Sequence, residues 1–422
     1  MTDADSAPPR RRTRVMVLGA GQLGAELIVA LQRLGAEVIA AEPAGSAEPA
    51  ADTEPIGPAE PAASTGPAES AAAGPVGPAD QTLAVQLADA DELSAAITRV
   101  QPDVVVAASD QVAVAALRLA AQTGTVEVVP NPRSVRLSAD REEMRRLVTD
   151  ELGLPTVPFW FAGSAQELAA VADQAGYPLV VSPVGVTVPG AGQSVLVRPD
   201  DVEPAWERAI AAGGPVHRVL GESVVQVDYE ITQLVAARDD DTVEFCAPIG
   251  HRRTADGRGL ESWQPQPMSE AALDAARSVA ARLVRALGGR GLVAVELAVR
   301  DDEVYFRDAT VFPADSGLVT LRTQRLSQFE LAARAVFGLA SDTVLVSPGA
   351  AWLHYRGDGG APAATPAGVG TLAAALQVPE SDLRIFGPGS RAGVALATAG
   401  DGAAARSRVA TMAARLTGVF SA

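Results

Sequence analysis

The chain has 422 residues, 48% of them hydrophobic, which is enough to form two or three domain cores. Its formal net charge of −17 argues against nucleic acid or an anionic membrane as the main partner. No apolar run approaches the length of a membrane span, and a single cysteine, Cys246, indicates a reducing, cytoplasmic location and a place in the core.

The N-terminal part predicts a disordered tail over residues 1–13 and a doubly wound domain over residues 14–130. Residues 19–24, GAGQLG, follow a predicted strand and open a predicted helix, and Glu42 lies near the expected position of a ribose-binding acid. A nicotinamide-dinucleotide site is therefore one interpretation. The other is that the glycines only let the strand and the helix pack closely.

Residues 43–81 interrupt this domain with a segment made almost entirely of Ala, Pro, Gly, Glu and Ser. Such a composition buries too little apolar surface to offset its ordering entropy, so the sequence predicts a disordered insertion. Strands and helices alternate again from Leu83 onward. This alternation predicts a mainly parallel sheet.

From Asn131 the pattern changes to α+β, and we expect a second domain over residues 131–345. A strand at 179–181, a loop with Gly190 and Gly192, and a return strand at 195–197 predict a lid whose backbone N–H groups cover a triphosphate. A hairpin follows a helix over 270–287 and carries two inward carboxylates. Residues 346–422 predict a small closing domain of short strands and a terminal helix.

Several stretches carry a resemblance to a known family, among them YPLVVSPV, FCAPIGHRR and ESWQPQPMS. They resemble the ATP-grasp superfamily and, within it, the formate-dependent glycinamide ribonucleotide transformylases of purine biosynthesis. The resemblance implies a doubly wound N-terminal domain, a central ATP-grasp domain, a small C-terminal domain, and a homodimer. It also implies a reaction in which ATP phosphorylates formate and the glycinamide amine attacks the formyl phosphate.

The resemblance also implies roles for individual residues. The residues that match ATP contacts are Arg141, Glu222, Val225, Glu230, Gly190 and Gly192. Those that match Mg²⁺ ligands are Glu296 and Asp308, the latter in place of a glutamate. Those that match substrate contacts are Gln22, Leu23, Arg391 and, at the substrate amine, Asp315.

The sequence departs from the family around the phosphates. Ser182 and Ala191 stand where the family has lysines, Phe312 where it has an arginine, and Ala314 where it has a histidine. No lysine compensates, because all 34 basic residues are arginine. Loss of one charge-stabilising group can slow a reaction on the order of 10²–10³-fold.

Three functions remain open at this point. The chain is a divergent transformylase with weak or lost catalysis, a nucleotide-binding or scaffolding pseudoenzyme, or a nicotinamide-dinucleotide-binding protein. The sequence therefore leaves it uncertain whether the chain is an enzyme.

Overall fold

The computed structural model describes residues 12–43, 79–185, 191–213, 217–239, 242–254, 257–356, 366–387 and 389–420. The chain divides into two units, Met1–Pro132 and Arg133–Ala422. The predicted tail and insertion lie almost wholly outside the described residues. The end of the insertion is an exception, because Asp80 accepts a hydrogen bond from the Val38 backbone at 2.9 Å and Gln81 begins a strand.

The first unit is a five-stranded parallel sheet with helices between its strands, as predicted from the alternation of elements. The strand order is β3-β2-β1-β4-β5. The elements are β1 (Arg14–Leu18), α1 (Gly21–Arg33), β2 (Glu37–Glu42), β3 (Gln81–Ala84), α2 (Ala90–Val100), β4 (Val104–Ala107), α3 (Val114–Gln122) and β5 (Glu127–Val129).

Helix α1 buries one face, on which Leu23, Leu27 and Leu31 recur every fourth residue. The third glycine of the GAGQLG turn has a packing role, because a Cβ at Gly24 would lie 2.3 Å from the Cβ of Ala20. The glycines are thus needed for the close turn from β1 into α1.

The second unit contains two antiparallel sheets. The smaller has the order β6-β9-β7-β8, and its strands are β6 (Phe159–Ala162), β7 (Leu179–Pro183), β8 (Ser194–Leu196) and β9 (Val219–Ser223). The larger has the order β15-β14-β10-β12-β13-β16-β18-β17, with β11 paired to β10. Its strands are β10 (Tyr229–Ala237), β11 (Val243–Phe245), β12 (Ile249–Arg253), β13 (Gly259–Gln264), β14 (Gly291–Arg300), β15 (Glu303–Thr310), β16 (Gly349–Tyr355), β17 (Ser381–Ile385) and β18 (Arg391–Thr398).

Helices flank these sheets. They are α4 (Pro132–Ala139), α5 (Arg141–Arg146), α6 (Ala165–Ala175), α7 (Val202–Ala212), α8 (Glu270–Leu287), α9 (Thr320–Thr323), α10 (Gln328–Val336), α11 (Pro366–Ala375) and α12 (Gly402–Phe420). A π-helix spans Leu147–Glu151, and 3-10 helices span Pro199–Asp201 and Ser316–Val319.

Helix α8 has the bounds predicted from the sequence, and both of its ends are fixed locally. The Ser269 hydroxyl accepts a hydrogen bond from the Ala272 N–H at 3.1 Å, and Gly288 ends the helix at a φ of 72°. The buried residues Ala276, Ala280 and Leu283 form one stripe along it. Cys246 is buried, as predicted.

The C-terminal segment is continuous with the larger sheet. Strand β16 pairs with β13, and β18 and β17 extend the sheet beyond it. The segment also has its own apolar cluster, in which Met412 and Leu416 of α12 pack with Val378 and Ala395. The fold class is as predicted, and residues 346–422, predicted as a small closing domain, add strands to the same sheet as the residues before them.

Candidate functional site

The predicted substrate residues of the first unit lie at a topological switch point. Gln22 and Leu23 follow β1, while Ala108 follows the neighbouring strand β4 and donates its backbone N–H to the carbonyl of Leu18 at 3.0 Å. Ligands of doubly wound sheets bind at the carboxyl ends of such strands. Because the Leu23 side chain is buried, only the backbone of Leu23 is available to a ligand there.

Glu42 is engaged by the glycine turn. It is only 5% exposed, and its Oε1 accepts a hydrogen bond from the N–H of Gly21 at 3.3 Å. Burial raises the pKa of Glu42, while the hydrogen bonds from the Gly21 and Ala20 backbones act to lower it. The Glu42 carboxylate, which was predicted to bind a dinucleotide ribose, therefore binds the backbone at the start of α1.

The predicted lid strands are present as β7 and β8, paired antiparallel. Ser182 lies on β7 opposite Leu220, is half-buried, and carries no charge. Gly192 has a φ of +70°, and a Cβ there would lie 2.7 Å from the Cβ of Ala212. Glycine is therefore needed where the chain returns over α7. Ala191 is half-buried beside it, and Gly190 lies outside the described residues.

The two predicted metal carboxylates lie next to each other. Glu296 on β14 is directly opposite Asp308 on β15, just before an irregularity in the pairing. Arg141 at the start of α5 places its Nε 3.2 Å from Oδ2 of Asp308 and contacts the carbonyl of Pro183 at 3.5 Å. The structure thus brings together both carboxylates, the predicted ATP arginine and the lid strand.

Glu222 on β9 forms a buried ion pair that the sequence did not reveal. Its Oε1 accepts a hydrogen bond from Nη2 of Arg145 at 2.7 Å, and the two side chains are 5% and 3% exposed. Burial acts to raise the pKa of Glu222, but Arg307, Arg145 and Arg141 outweigh it and keep the pKa below its ordinary value. The Glu222 carboxylate is therefore already occupied by Arg145.

The remaining predicted adenosine residues follow β9. Val225 lies half-buried in the segment between β9 and β10, and Glu230 is near the start of β10 with its side chain 39% exposed. Arg307 links this region to the buried pair, with its Nε 3.8 Å from Glu230 and its Nη1 3.9 Å from Glu222. Glu230 therefore keeps an exposed carboxylate for a hydroxyl ligand.

The segment after β15 is held by neutral groups. Phe312 and Ala314 are both buried. Gln328 accepts a hydrogen bond from the Ala314 N–H at 3.0 Å and donates one to its carbonyl at 2.9 Å. Positions 312 and 314, where the family resemblance implies an arginine and a histidine, thus contribute packing and no charge.

Asp315 is the centre of a polar cluster. Nε of Arg391 lies 2.5 Å from its Oδ1, and the Tyr355 hydroxyl donates to its Oδ2 at 2.7 Å. Nη1 of Arg253 donates to the Tyr355 oxygen at 3.2 Å. Burial and the charge of Asp315 raise the pKa of Tyr355, so its hydroxyl stays protonated and remains a donor. Two predicted substrate residues, Asp315 and Arg391, therefore bind each other.

Sequence reasoning missed several residues of this region, namely Arg145, Arg253, Arg307, Gln328 and Tyr355. Alternation along β12 is a signal that separates Arg253 from Arg252, since neighbouring strand residues face opposite sides. No comparable signal marks the others. In the described part of the chain, no group of three or more His, Cys, Asp or Glu side chains is arranged to hold a metal.

Comparisons with protein-family models give two matches. The ATP-grasp domain matches residues 147–329, and the NAD dependent epimerase/dehydratase family matches residues 15–128. The second match covers only the doubly wound first unit, whose Glu42 is used by its own turn. Within the described helices, none has the length and apolar character needed to cross a membrane.

Two similar relatives carry the same name. The formate-dependent phosphoribosylglycinamide formyltransferase of Rhodococcus jostii (strain RHA1) is 43% identical over 415 residues, which is 96% of this chain and 95% of the relative. That of Paraburkholderia xenovorans (strain LB400) is 44% identical over 407 residues, 94% of this chain and 93% of the relative.

Two solved structures are similar to this chain. Glycinamide-RNase-transformylase T from Mycobacterium tuberculosis has a TM-score of 0.73 and 46% identity, and covers 95% of this chain and 99% of its own. Carboxyaminoimidazole ribonucleotide synthase from asperigillus clavatus, complexed with ATP, has a TM-score of 0.77 at 20% identity, covering 97% of this chain and 99% of its own. The second likeness concerns the fold alone.

Proposed function

Because the chain belongs to the formate-dependent phosphoribosylglycinamide formyltransferase family, we propose that it formylates glycinamide ribonucleotide with formate and ATP, at a reduced rate. The observation that carries this proposal is the facing pair Glu296 and Asp308, with Arg141 3.2 Å from Asp308 and in contact with the lid strand. This pair lies within the part of the chain that matches the ATP-grasp domain.

The two carboxylates fit Mg²⁺, which prefers oxygen ligands and is usually held by one or two carboxylates together with substrate phosphates. Both side chains are partly exposed, so a ligand can reach them. When bound, Mg²⁺ would neutralise charge on the phosphates. Arg141 already pairs with Asp308, and its second contact at Pro183 holds it between the metal carboxylates and the lid.

The reduced rate follows from missing charge. Ser182, Ala191, Phe312 and Ala314 are all neutral. Phosphoryl transfer depends almost entirely on positioning and on electrostatic stabilisation of the transferred group. Several such losses around one phosphoryl group leave a small fraction of an ordinary rate, even though their effects are not additive.

The state of Asp315 favours a second candidate, a nucleotide-binding protein without phosphoryl transfer. Its two oxygens are already bound by Arg391 and Tyr355, so an incoming ammonium group has to displace Arg391. If that displacement does not occur, ATP binds but no amine is formylated. This candidate differs from the first only in the reaction, and the same experiment separates them.

The test measures ADP release that depends on both formate and glycinamide ribonucleotide, together with calorimetric titration of ATP. We expect ATP binding and a turnover well below the ordinary ~1–10 s⁻¹. The Glu296→Gln variant should lose that turnover. An ordinary rate would overturn the reduced-rate claim, ATP binding without turnover would support the second candidate, and absence of ATP binding would overturn both.

We further propose a homodimer, as the family resemblance implies, in the reducing cytoplasm that the single cysteine indicates. Light scattering of the purified chain tests the dimer directly. A mass near the 43.1 kDa of one chain would contradict it.

A further inference from the structure

One face of the larger sheet carries the charged side chains of the candidate site. Asp308 lies opposite Glu296, which lies opposite Thr232. Thr232 in turn lies opposite Ile249 on β12. Residues directly opposite each other in antiparallel strands point to the same face, and so does every second residue along a strand. Arg253, four residues after Ile249, therefore shares the face of both carboxylates.

A series of hydrogen bonds connects Arg253 to the same region. Arg253 donates to the Tyr355 hydroxyl at 3.2 Å, and Tyr355 donates to Asp315 at 2.7 Å. The next residue, Ser316, is hydrogen-bonded to Thr232 at 2.7 Å. Thr232 is the cross-strand neighbour of Glu296, so these contacts link the Arg253 guanidinium to the part of the sheet that carries the metal carboxylates.

Arg253 has donors available for an anion. Its guanidinium has five N–H donors, and one of them is used by Tyr355. Among the described residues no carboxylate lies within ion-pair distance of Arg253, and the residue is exposed although its contact with Tyr355 is partly buried. Burial acts to lower its pKa, but Tyr355, Glu296 and Asp315 outweigh burial and raise it. The group therefore remains charged and accessible.

Three other arginines, at the start of α5, just after β8 and on β18, are already paired with carboxylates. Arg141, Arg198 and Arg391 each form an ion pair with an aspartate, at 3.2, 3.3 and 2.5 Å. Of these four cations, Arg253 is therefore the one whose charge is not directly balanced by a carboxylate. A planar guanidinium in this state is suited to bind a phosphate through two parallel hydrogen bonds.

We propose that Arg253 contacts the terminal phosphate of ATP when the nucleotide is bound with Mg²⁺ at Glu296 and Asp308. This inference rests on the proposed function. Arg253 supplies there the positive charge that the buried, neutral Phe312 does not offer. It is thus an additional nucleotide-binding residue, which lies on a different strand from the residues the family resemblance implies.

The experiment compares the affinities of ATP, ADP and adenosine, each with Mg²⁺, by titration calorimetry of the full chain. The variants are Arg253→Ala, Arg253→Gln, which keeps a hydrogen-bonding group for Tyr355, and Arg252→Ala. Arg252 is the matched control, because it is the neighbouring arginine and faces the other side of β12, where it pairs with Glu261 at 3.0 Å.

We expect both Arg253 variants to weaken ATP binding by about tenfold to a hundredfold, the effect of losing a hydrogen bond to a charged group. ADP and adenosine affinities should change less than about twofold, and Arg252→Ala should match the parent chain. Parent-like preference for ATP over ADP in Arg253→Gln, with adenosine binding intact, would overturn the inference while leaving the proposed function standing. If the parent chain does not bind ATP, the proposed function fails, and the inference fails with it.

Discussion

Arg391 and Asp315 bind each other directly, with the arginine Nε 2.5 Å from one carboxylate oxygen. Tyr355 holds the other oxygen, so the carboxylate has a partner on both sides. The family resemblance implies that Asp315 binds the substrate amine. In this chain Arg391, which carries the same charge as a protonated amine, occupies that position, so we expect substrate binding to require the opening of this ion pair.

A double-mutant cycle measures the strength of this ion pair. We expect Asp315→Asn and Arg391→Gln each to lower the free energy of unfolding, with a coupling of about 1–3 kcal/mol, because the bond is charge-assisted and largely buried. Urea denaturation of both single variants and the double variant checks this. Additive effects would show that the two side chains stabilise the fold independently.

Breaking the buried Arg145–Glu222 pair should have a larger effect on the free energy of unfolding. Glu222→Gln leaves the guanidinium of Arg145 buried between Phe159 and Phe306, at 5.1 and 5.7 Å from their ring centroids, without its main counter-charge. Loss of one partner of a buried pair typically lowers the free energy of unfolding by about 3–5 kcal/mol. Chemical denaturation measures the change.

Two further variants test that explanation. Replacing both partners, as in Arg145→Met with Glu222→Leu, should recover most of the lost stability, because no unpaired charge remains. Arg146→Gln is the control, since Arg146 is 64% exposed and should contribute less than about 1 kcal/mol. A double variant as unstable as Glu222→Gln would indicate that the pair has a role beyond charge compensation.

His354 predicts a loss of stability in mild acid. Burial lowers the pKa of His354 to about 4, from an ordinary 6.5. Between these values the unfolded chain binds a proton that the folded chain does not, so the free energy of unfolding falls as the pH falls from about 6.5 towards 4. The full loss in the free energy of unfolding that protonation of His354 causes is about 3 kcal/mol.

Denaturation curves across this pH range check the effect. The His354→Leu variant should show a shallower fall in stability with decreasing pH than the parent chain. His217→Leu, at an exposed histidine, should keep the slope of the parent. Equal slopes for the parent and His354→Leu would show that other groups control the acid sensitivity.

Restoring lysines tests the cause of the proposed slow reaction. The double variant Ser182→Lys with Ala191→Lys adds two positive charges to the lid. We therefore expect the affinity for Mg-ATP to increase by about tenfold or more. Calorimetric titration measures the affinity, and glutamine at both positions controls for side-chain length. Unchanged affinity would mean that the phosphate end has been altered beyond these two positions.

Local patterns in the sequence predicted much of the fold. Helix α8 has its predicted bounds, and its caps Ser269 and Gly288 are local features that lie next to it in the sequence. Alternation within the β14–β15 hairpin predicted that Glu296 and Asp308 would face the same way, and the structure places them directly opposite each other. Contacts within one hairpin are short-range in sequence, so a pattern of period two is sufficient to predict which side chains share a face.

The long-range polar contacts of the site could not be predicted in this way. Arg145 and Glu222 are 77 positions apart, and Arg253 and Tyr355 are 102 apart. These contacts depend on how α5 packs and on the order of strands in the larger sheet, and the polarity of the individual residues encodes neither. Asp315 looked available to a substrate for the same reason, because its partner Arg391 arrives from a distant strand.

The continuity of the larger sheet has a consequence for solubility. Strand β13 is hydrogen-bonded to β12 on one side and to β16 on the other. Without residues 346–422, its six residues would present a row of unpaired backbone groups, and Trp263 would lose Arg406, which packs 3.8 Å above its ring. A long open edge of this kind is a template for pairing with other chains. The C-terminal segment therefore shields the central domain from self-association.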